Sequence, residues 1–312
     1  MPPPGGSLRI LPAGATVPSL FAASLLTASL LLPWQGQWLC AAAVIIVLGV
    51  PHGALDVEIG RTLLRHRVGW VWFPLFATPY LMLVAAVLGA WRLAPEPILA
   101  AFLAVSVWHF GTEESEGAHE LSVLALGGLP VALPVVVQPV ATARVLSAIS
   151  GVPLAEAPAW LLWPSLAWVP LAVLWACRTL MWGPRRALLL PLLQCVGFVA
   201  LPPLTAFALY FVSVHAPSHT AALIRHPTRA PRVHNTVSAW RLSTPTTILT
   251  VLIGAALLPF GAGEPAVRLV GMTLQLLAAL TLPHVLLEVW LTGHERTQAL
   301  TTQPRPVPCA AR

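Results

Sequence analysis

Apolar runs long enough to cross a membrane recur along this chain from Val17 to Leu291, and they constrain the fold more than any other feature. In hydrocarbon every backbone polar group must be satisfied internally, so such runs form helices bundled side by side. Ten candidate spans lie near 17–34, 38–59, 69–91, 97–112, 121–140, 159–178, 186–203, 204–224, 243–260 and 266–291. The fifth and seventh are the weakest, because Gly127, Gly128, Pro130, Pro134 and Pro191 interrupt them. Eight spans, with those two re-entrant or interfacial, is the alternative count. The expected fold is an all-α, polytopic transmembrane helical bundle. It comprises an N-terminal segment over residues 1–16, a transmembrane domain over 17–291 and a tail over 292–312. Composition agrees: 57% of the residues are hydrophobic and only 9% charged, whereas about a quarter are charged in a soluble domain.

The net charge of +6 does not indicate nucleic acid, because the basic side chains sit in short loops between apolar runs. There they set orientation instead. With a cytoplasmic N-terminus and alternating spans, 14 of the 17 arginines fall inside, and only Arg92, Arg144 and Arg268 fall outside. That bias predicts an even span count, both termini in the cytoplasm and a multi-pass location in the cell membrane, of the bacterial inner-membrane type. The loop GTEESEGAHE, residues 111–120, resists the rule by being inside yet acidic. Tryptophans at 34, 38, 70, 72, 91, 160 and 182 cluster near the predicted interfaces. The N-terminal apolar run lacks a clear small-residue cleavage site and is read as a retained helix. The chain contains no lysine, which excludes a pigment holding retinal as a Schiff base. Cys40, Cys177, Cys195 and Cys309 have no metal-ligand spacing and read as apolar fillers plus one tail thiol.

Five of the ten histidines, His66, His119, His226, His234 and His294, fall in loops or tails. The other five lie inside spans: His52 in GVPHGALD, His109 in SVWHFGTEE, His215 and His219 in YFVSVHAPSH, and His284 in TLPHVLLE. Each lies about 4 to 11 residues from the nearest predicted cytoplasmic boundary, roughly 6–17 Å deep. Four separate spans thus place imidazoles in one slab of the bilayer. His215 and His219 share a helix face, with Pro217 bending the helix between them. Burial favours neutral imidazole, the form that binds metal, and an all-imidazole set suits iron, zinc, copper or nickel. Each of three histidines is followed at i+4 by a carboxylate: His52 by Asp56 (the only aspartate of the chain), His109 by Glu113 and His284 by Glu288. Ligating histidines commonly donate their second ring N–H to such a group.

GVPHGALD, WHFGTEE, YFVSVHAPSH and PHVLLE resemble, in order and spacing from about residue 40 to 290, the Brp/Blh family of membrane β-carotene 15,15′-dioxygenases. The PHGALD and HxxxH elements are the most specific. The resemblance implies a non-haem ferrous ion held by His52, His109, His215 and His219, with His284 a further candidate ligand. It also implies cleavage of the central double bond of β-carotene by dioxygen within residues 17–291, giving two molecules of retinal. Asp56, Glu113 and Glu288 are then expected to orient the ligands. Trp108, Phe110, Tyr210 and Phe211 are expected to line an apolar tunnel for a substrate delivered by the lipid bilayer. Ala216 stands where the family's HxxxH element usually has serine, and Glu113 and Glu114 where aspartate is usual; neither change removes a ligand. Two other classes use buried histidines: a haem-binding membrane electron carrier and a proton-coupled transporter. The i,i+4 pair on one helix cannot clamp both faces of a haem, and no inverted repeat supports the transporter. No HxxHH cluster of a di-iron desaturase occurs.

Overall fold

A computed structural model describes residues 13–115, 119–261 and 263–302, and among them every regular element is helical. The expected terminal segments at 1–12 and 303–312, with Arg9, Arg305, Cys309 and Arg312, lie outside the described residues. The α-helices in chain order are α1 (Ala13–Ser29), α2 (Trp34–Val44), α3 (Val50–Gly53), α4 (Asp56–Val68), α5 (Trp72–Leu93), α6 (Pro95–Glu114) and α7 (Glu120–Val137). There follow α8 (Pro139–Ser150), α9 (Ala159–Trp182), α10 (Leu189–Ala200), α11 (Pro203–Tyr210), α12 (Ala216–Arg225), α13 (Thr236–Leu257) and α14 (Pro265–Thr302). Two π-helical turns, Ile45–Gly49 and Phe211–His215, run without a break between α2 and α3 and between α11 and α12.

Six helical stretches among the described residues are long and apolar enough to cross a membrane. The first, Trp34–Leu93, is 60 residues long and turns back where α4 packs against α5. The chain is a helical membrane protein. Its large exposed side chains include Leu252, Ile248, Val173 and Trp182, while histidine, aspartate and glutamate lie buried. Without a hydrophobic drive between helices in lipid, close packing depends on small residues. A Cβ on Gly127 of α7 would strike the Val107 carbonyl of α6, and one on Gly111 the Val123 carbonyl. Gly128 likewise admits the indole of Trp168 on α9, whose Nε1 donates to the Leu124 carbonyl at 3.1 Å.

The expected span 38–59 breaks between Gly53 and Asp56, and the expected span 186–203 holds only the 12-residue α10. Two further elements, α8 and α13, also differ from the sequence expectation. No span is expected between 140 and 159, yet Pro139–Ser150 forms α8, too short to cross a bilayer. Proline opens its first turn, Thr142, Leu146 and Ile149 are buried, and Gly151 ends it at a φ of 74°. The span expected from 243 starts at Thr236, because Asn235 and Ser238 form a reciprocal cap, Asn235 Oδ1 accepting from Ser238 N at 2.8 Å. The polar first turns of α13 hide that start from a hydropathy reading.

Candidate metal centre

His52 lies on α3, His109 on α6, His215 at the end of the second π turn, His219 on α12 and His284 on α14. The bundle brings all five together. Neighbouring ring centroids are 5.2 Å apart for His52 and His215, 5.1 Å for His215 and His109, and 5.1 Å for His109 and His284. His284 and His219 are 5.0 Å apart, and His219 returns to His52 at 5.6 Å. The rings therefore form a closed loop, and each residue is at most 8% exposed. His284 is as central as the four histidines of the PHGALD, WHF and HxxxH elements.

The two π turns explain part of this convergence. Each ends two residues before a proline, Pro51 or Pro217, which supplies no N–H to the helical ladder. The ladder widens to the i→i−5 pattern: Val50 N–H bonds to the Ile45 carbonyl and Ala216 N–H to the Phe211 carbonyl. The wide turns pack on each other, with Phe211 over Gly49; a Cβ on Gly49 would lie 2.5 Å from the Phe211 ring. The Gly49 carbonyl then accepts from Nδ1 of His52.

The carboxylates reach beyond the histidines that the spacing pairs with them. Asp56 faces His284, whose Nδ1 lies 2.9 Å and 3.0 Å from its two oxygens, and not His52. The reason is local: α3 ends at Gly53 and α4 begins at Asp56, so no continuous helix holds 52 and 56 at i,i+4 register. Glu113 also serves the HxxxH pair, with Oε1 2.9 Å from His219 Nδ1 and Oε2 3.3 Å from His215 Nδ1, while keeping an oxygen within 4.8 Å of a His109 nitrogen. Glu288, expected behind His284, faces Arg229 at 3.8 Å. Arg229 also makes a two-pronged contact with Glu295 at 2.7 Å and 2.8 Å, and Arg232 reaches Glu58 at 3.1 Å. The segment between α12 and α13 is thereby tied to α14 and α4.

These contacts test whether a cation fits. A carboxylate only accepts, so Nδ1 of His219 and of His284 carries the hydrogen and each Nε2 presents a lone pair. Both Nε2 atoms are buried without a hydrogen-bond partner. An orphaned acceptor in an apolar interior is costly, and a metal ion is the partner that would relieve several at once. Donor atoms of His109, Glu113 and His284 lie within 4.8 Å of one another, as do those of Asp56, His219 and His284. Two carboxylates beside five neutral imidazoles also balance a divalent charge. The packed rings leave no slot for a porphyrin, so one small ion fits the donor set.

A cavity of about 270 Å³ meets this cluster at His52, His109, His215 and His284. Its walls are mostly apolar, drawn from α5, α6, α7, α8, α11, α13 and α14. Phe110 and Phe211 line it. Trp108 does not: it is 45% exposed, because turning His109 inward points its neighbour outward. Tyr210 is buried behind the wall, packed on Phe110 and donating to Glu114. Tyr80, absent from the sequence expectations, lines the cavity and donates to Asp56 at 2.8 Å. Thus both tyrosines of the chain donate to carboxylates of this region. Two phenols in a chain so apolar were the available signal.

A family model described as beta-carotene 15,15'-dioxygenase matches residues 43–292. The chain is 28% identical over 282 residues to "Probable beta-carotene 15,15'-dioxygenase Blh" of Halobacterium salinarum, covering 79% of this chain and 81% of that one. It is 25% identical over 193 residues to "Beta-carotene 15,15'-dioxygenase" of an uncultured marine bacterium, 66A03, covering 58% and 67%. No solved structure matches.

Proposed function

Because the chain belongs to the beta-carotene 15,15'-dioxygenase family, whose model spans residues 43–292, we propose that it cleaves the central double bond of β-carotene with dioxygen, giving two molecules of retinal. The observation that carries this reading is the closed loop of five buried imidazoles opening on an apolar cavity, with two carboxylates holding ring N–H groups behind it. His52, His109, His215 and His219 would hold a ferrous ion, and the position of His284 supports counting it with them. Iron, when bound, supplies the one-electron chemistry that lets ground-state dioxygen react with a closed-shell polyene.

The remaining work falls to the chain itself. Asp56 and Glu113 fix the tautomers of His284 and His219, so that Nε2 faces the centre. Tyr80 fixes Asp56 in turn. Phe110 and Phe211 wall the cavity beside His215, with ring centroids at 4.7 Å and 5.3 Å from it. The apolar walls bind a hydrocarbon and exclude water. Cavity-lining Phe73, Leu81 and Leu249 are also about half exposed on the lipid side, which supports entry from the bilayer between α5 and α13. We place the chain in the cell membrane with ten spans, both termini cytoplasmic and the centre nearer the cytoplasmic face. Reporter fusions at 61–68 and 225–241 test that orientation.

The direct test is expression in cells that accumulate β-carotene. Loss of orange colour with appearance of retinal is the expected outcome. Intact β-carotene in cells containing folded, iron-loaded protein overturns the reading. A Soret band in the purified protein would point to haem instead.

A further inference from the structure

Ser106 stands on α6 one turn before His109, about 4.5 Å along the axis and on the same face. It is 2% exposed and lines the cavity. A serine inside a helix usually returns its hydrogen to a carbonyl one turn back. Three other hydroxyls of this wall find partners: Thr142 bonds to the Pro134 carbonyl, Thr250 to that of Thr246 and Thr281 to that of Leu277. Tyr80 bonds to Asp56. The Thr246 hydroxyl on the same wall makes no hydrogen bond among the described residues, but Thr246 is only half-buried, whereas Ser106 is closed off. Ser106 Oγ is buried with no hydrogen-bond partner, a condition it shares among the lining residues with Nδ1 of His215 and Nε2 of His284. A free donor beside the imidazole cluster points to an acceptor on a bound molecule.

Resting on the carotenoid-cleaving reading, we propose that the Ser106 hydroxyl donates to the carbonyl oxygen of one aldehyde product. In that reaction the carbon–carbon double bond and the oxygen–oxygen bond both break. Two carbonyl bonds form, each aldehyde keeps one oxygen atom, and no proton or leaving group departs. The hydrocarbon substrate offers Ser106 nothing, whereas the aldehyde offers an acceptor close to where it is formed. Ser106 is a product-positioning residue, and it makes the cavity selective for a retinal-type aldehyde over the same polyene without oxygen.

The experiment measures equilibrium binding of all-trans-retinal, and of the hydrocarbon bearing a methyl group in place of the aldehyde, to full-length protein in nanodiscs. Tryptophan fluorescence reports binding, and iron content is measured in the same samples. With no lysine in the chain, no Schiff base complicates the retinal titration. Ser106→Ala should weaken retinal binding about two- to tenfold, the worth of one neutral hydrogen bond, and leave hydrocarbon binding and iron content unchanged. Ser106→Thr, which keeps the hydroxyl, should restore most of the loss. Equal affinity of the alanine variant and wild type for retinal, equal weakening of both ligands, or loss of iron overturns the proposal. Should the alanine variant not accumulate, Ser106→Cys, a weaker donor of similar size, should bind retinal less tightly than wild type while holding the hydrocarbon equally. Selective loss of retinal affinity in a protein that leaves β-carotene intact would sink the cleavage reading alone. Active cleavage without that selective loss would sink only the role of Ser106.

Discussion

Thr236–Phe260 and Pro203–Arg225 are close in length, 25 and 23 residues, yet only 6% of the most apolar window of the first is buried against 50% of the second. The more apolar stretch is the less buried one, with a mean hydropathy of 1.6 against 1.2. In water the order would be reversed. In lipid an apolar helix gains little by leaving the hydrocarbon, so protein contact collects around polar groups that hydrocarbon cannot satisfy. Pro203–Arg225 carries His215, His219 and a widened turn, and these need neighbours to bond to. Thr236–Phe260 carries none of them, and its Leu252 is 61% exposed.

That contrast predicts where substitutions act. The largest effect is expected for His219→Ala, which removes a candidate ligand and leaves Glu113 without its nearest imidazole. Iron per purified chain should fall well below the wild-type value and activity by more than about 100-fold, beyond what loss of a supporting residue costs. The iron-free protein should also melt at a lower temperature, since a bound ion stabilises only the folded state. Full iron occupancy in this variant would remove His219 from the site.

Next comes Asp56→Asn, with an expected loss of about 10–100-fold in iron affinity or in activity at limiting iron. A double-mutant cycle sharpens the comparison between spacing and packing. Asp56→Asn should couple strongly with His284→Ala, whose ring it touches, and weakly with His52→Ala, its i−4 neighbour in sequence. Stronger coupling to His52 would reverse the partner assignment.

The smallest pair contrasts packing itself. Gly49→Val forces a side chain into Phe211 where the two π turns meet and should cost about 1–3 kcal/mol of stability. Leu252→Ala on the lipid face of α13 should stay within about 0.5 kcal/mol. Thermal unfolding in nanodiscs compares them; equal losses would mean that α13 has a protein partner on that face.

Much of this was legible in the chain. Hydropathy located most helices, and it failed where polarity and apolarity mix: at α8, which is apolar on one face only, and at the capped, polar start of α13. The five buried histidines could be picked out because an imidazole inside an apolar run is costly and therefore rare. The outward turn of Trp108 and the retreat of Tyr210 behind the wall were not legible, since flanking a histidine in sequence does not decide which way a neighbour faces.

The sequence alone determined that the chain is helical, that it belongs in a membrane and which histidines and carboxylates stand out inside its apolar runs, because these follow from composition and local pattern. Only the tertiary structure decided which carboxylate serves which imidazole. Spacing at i,i+4 means contact only on an unbroken helix, and the helix breaks between His52 and Asp56. Asp56 instead meets His284, 228 residues away, because a buried carboxylate bonds to whatever donor the packing of other helices brings within 3 Å.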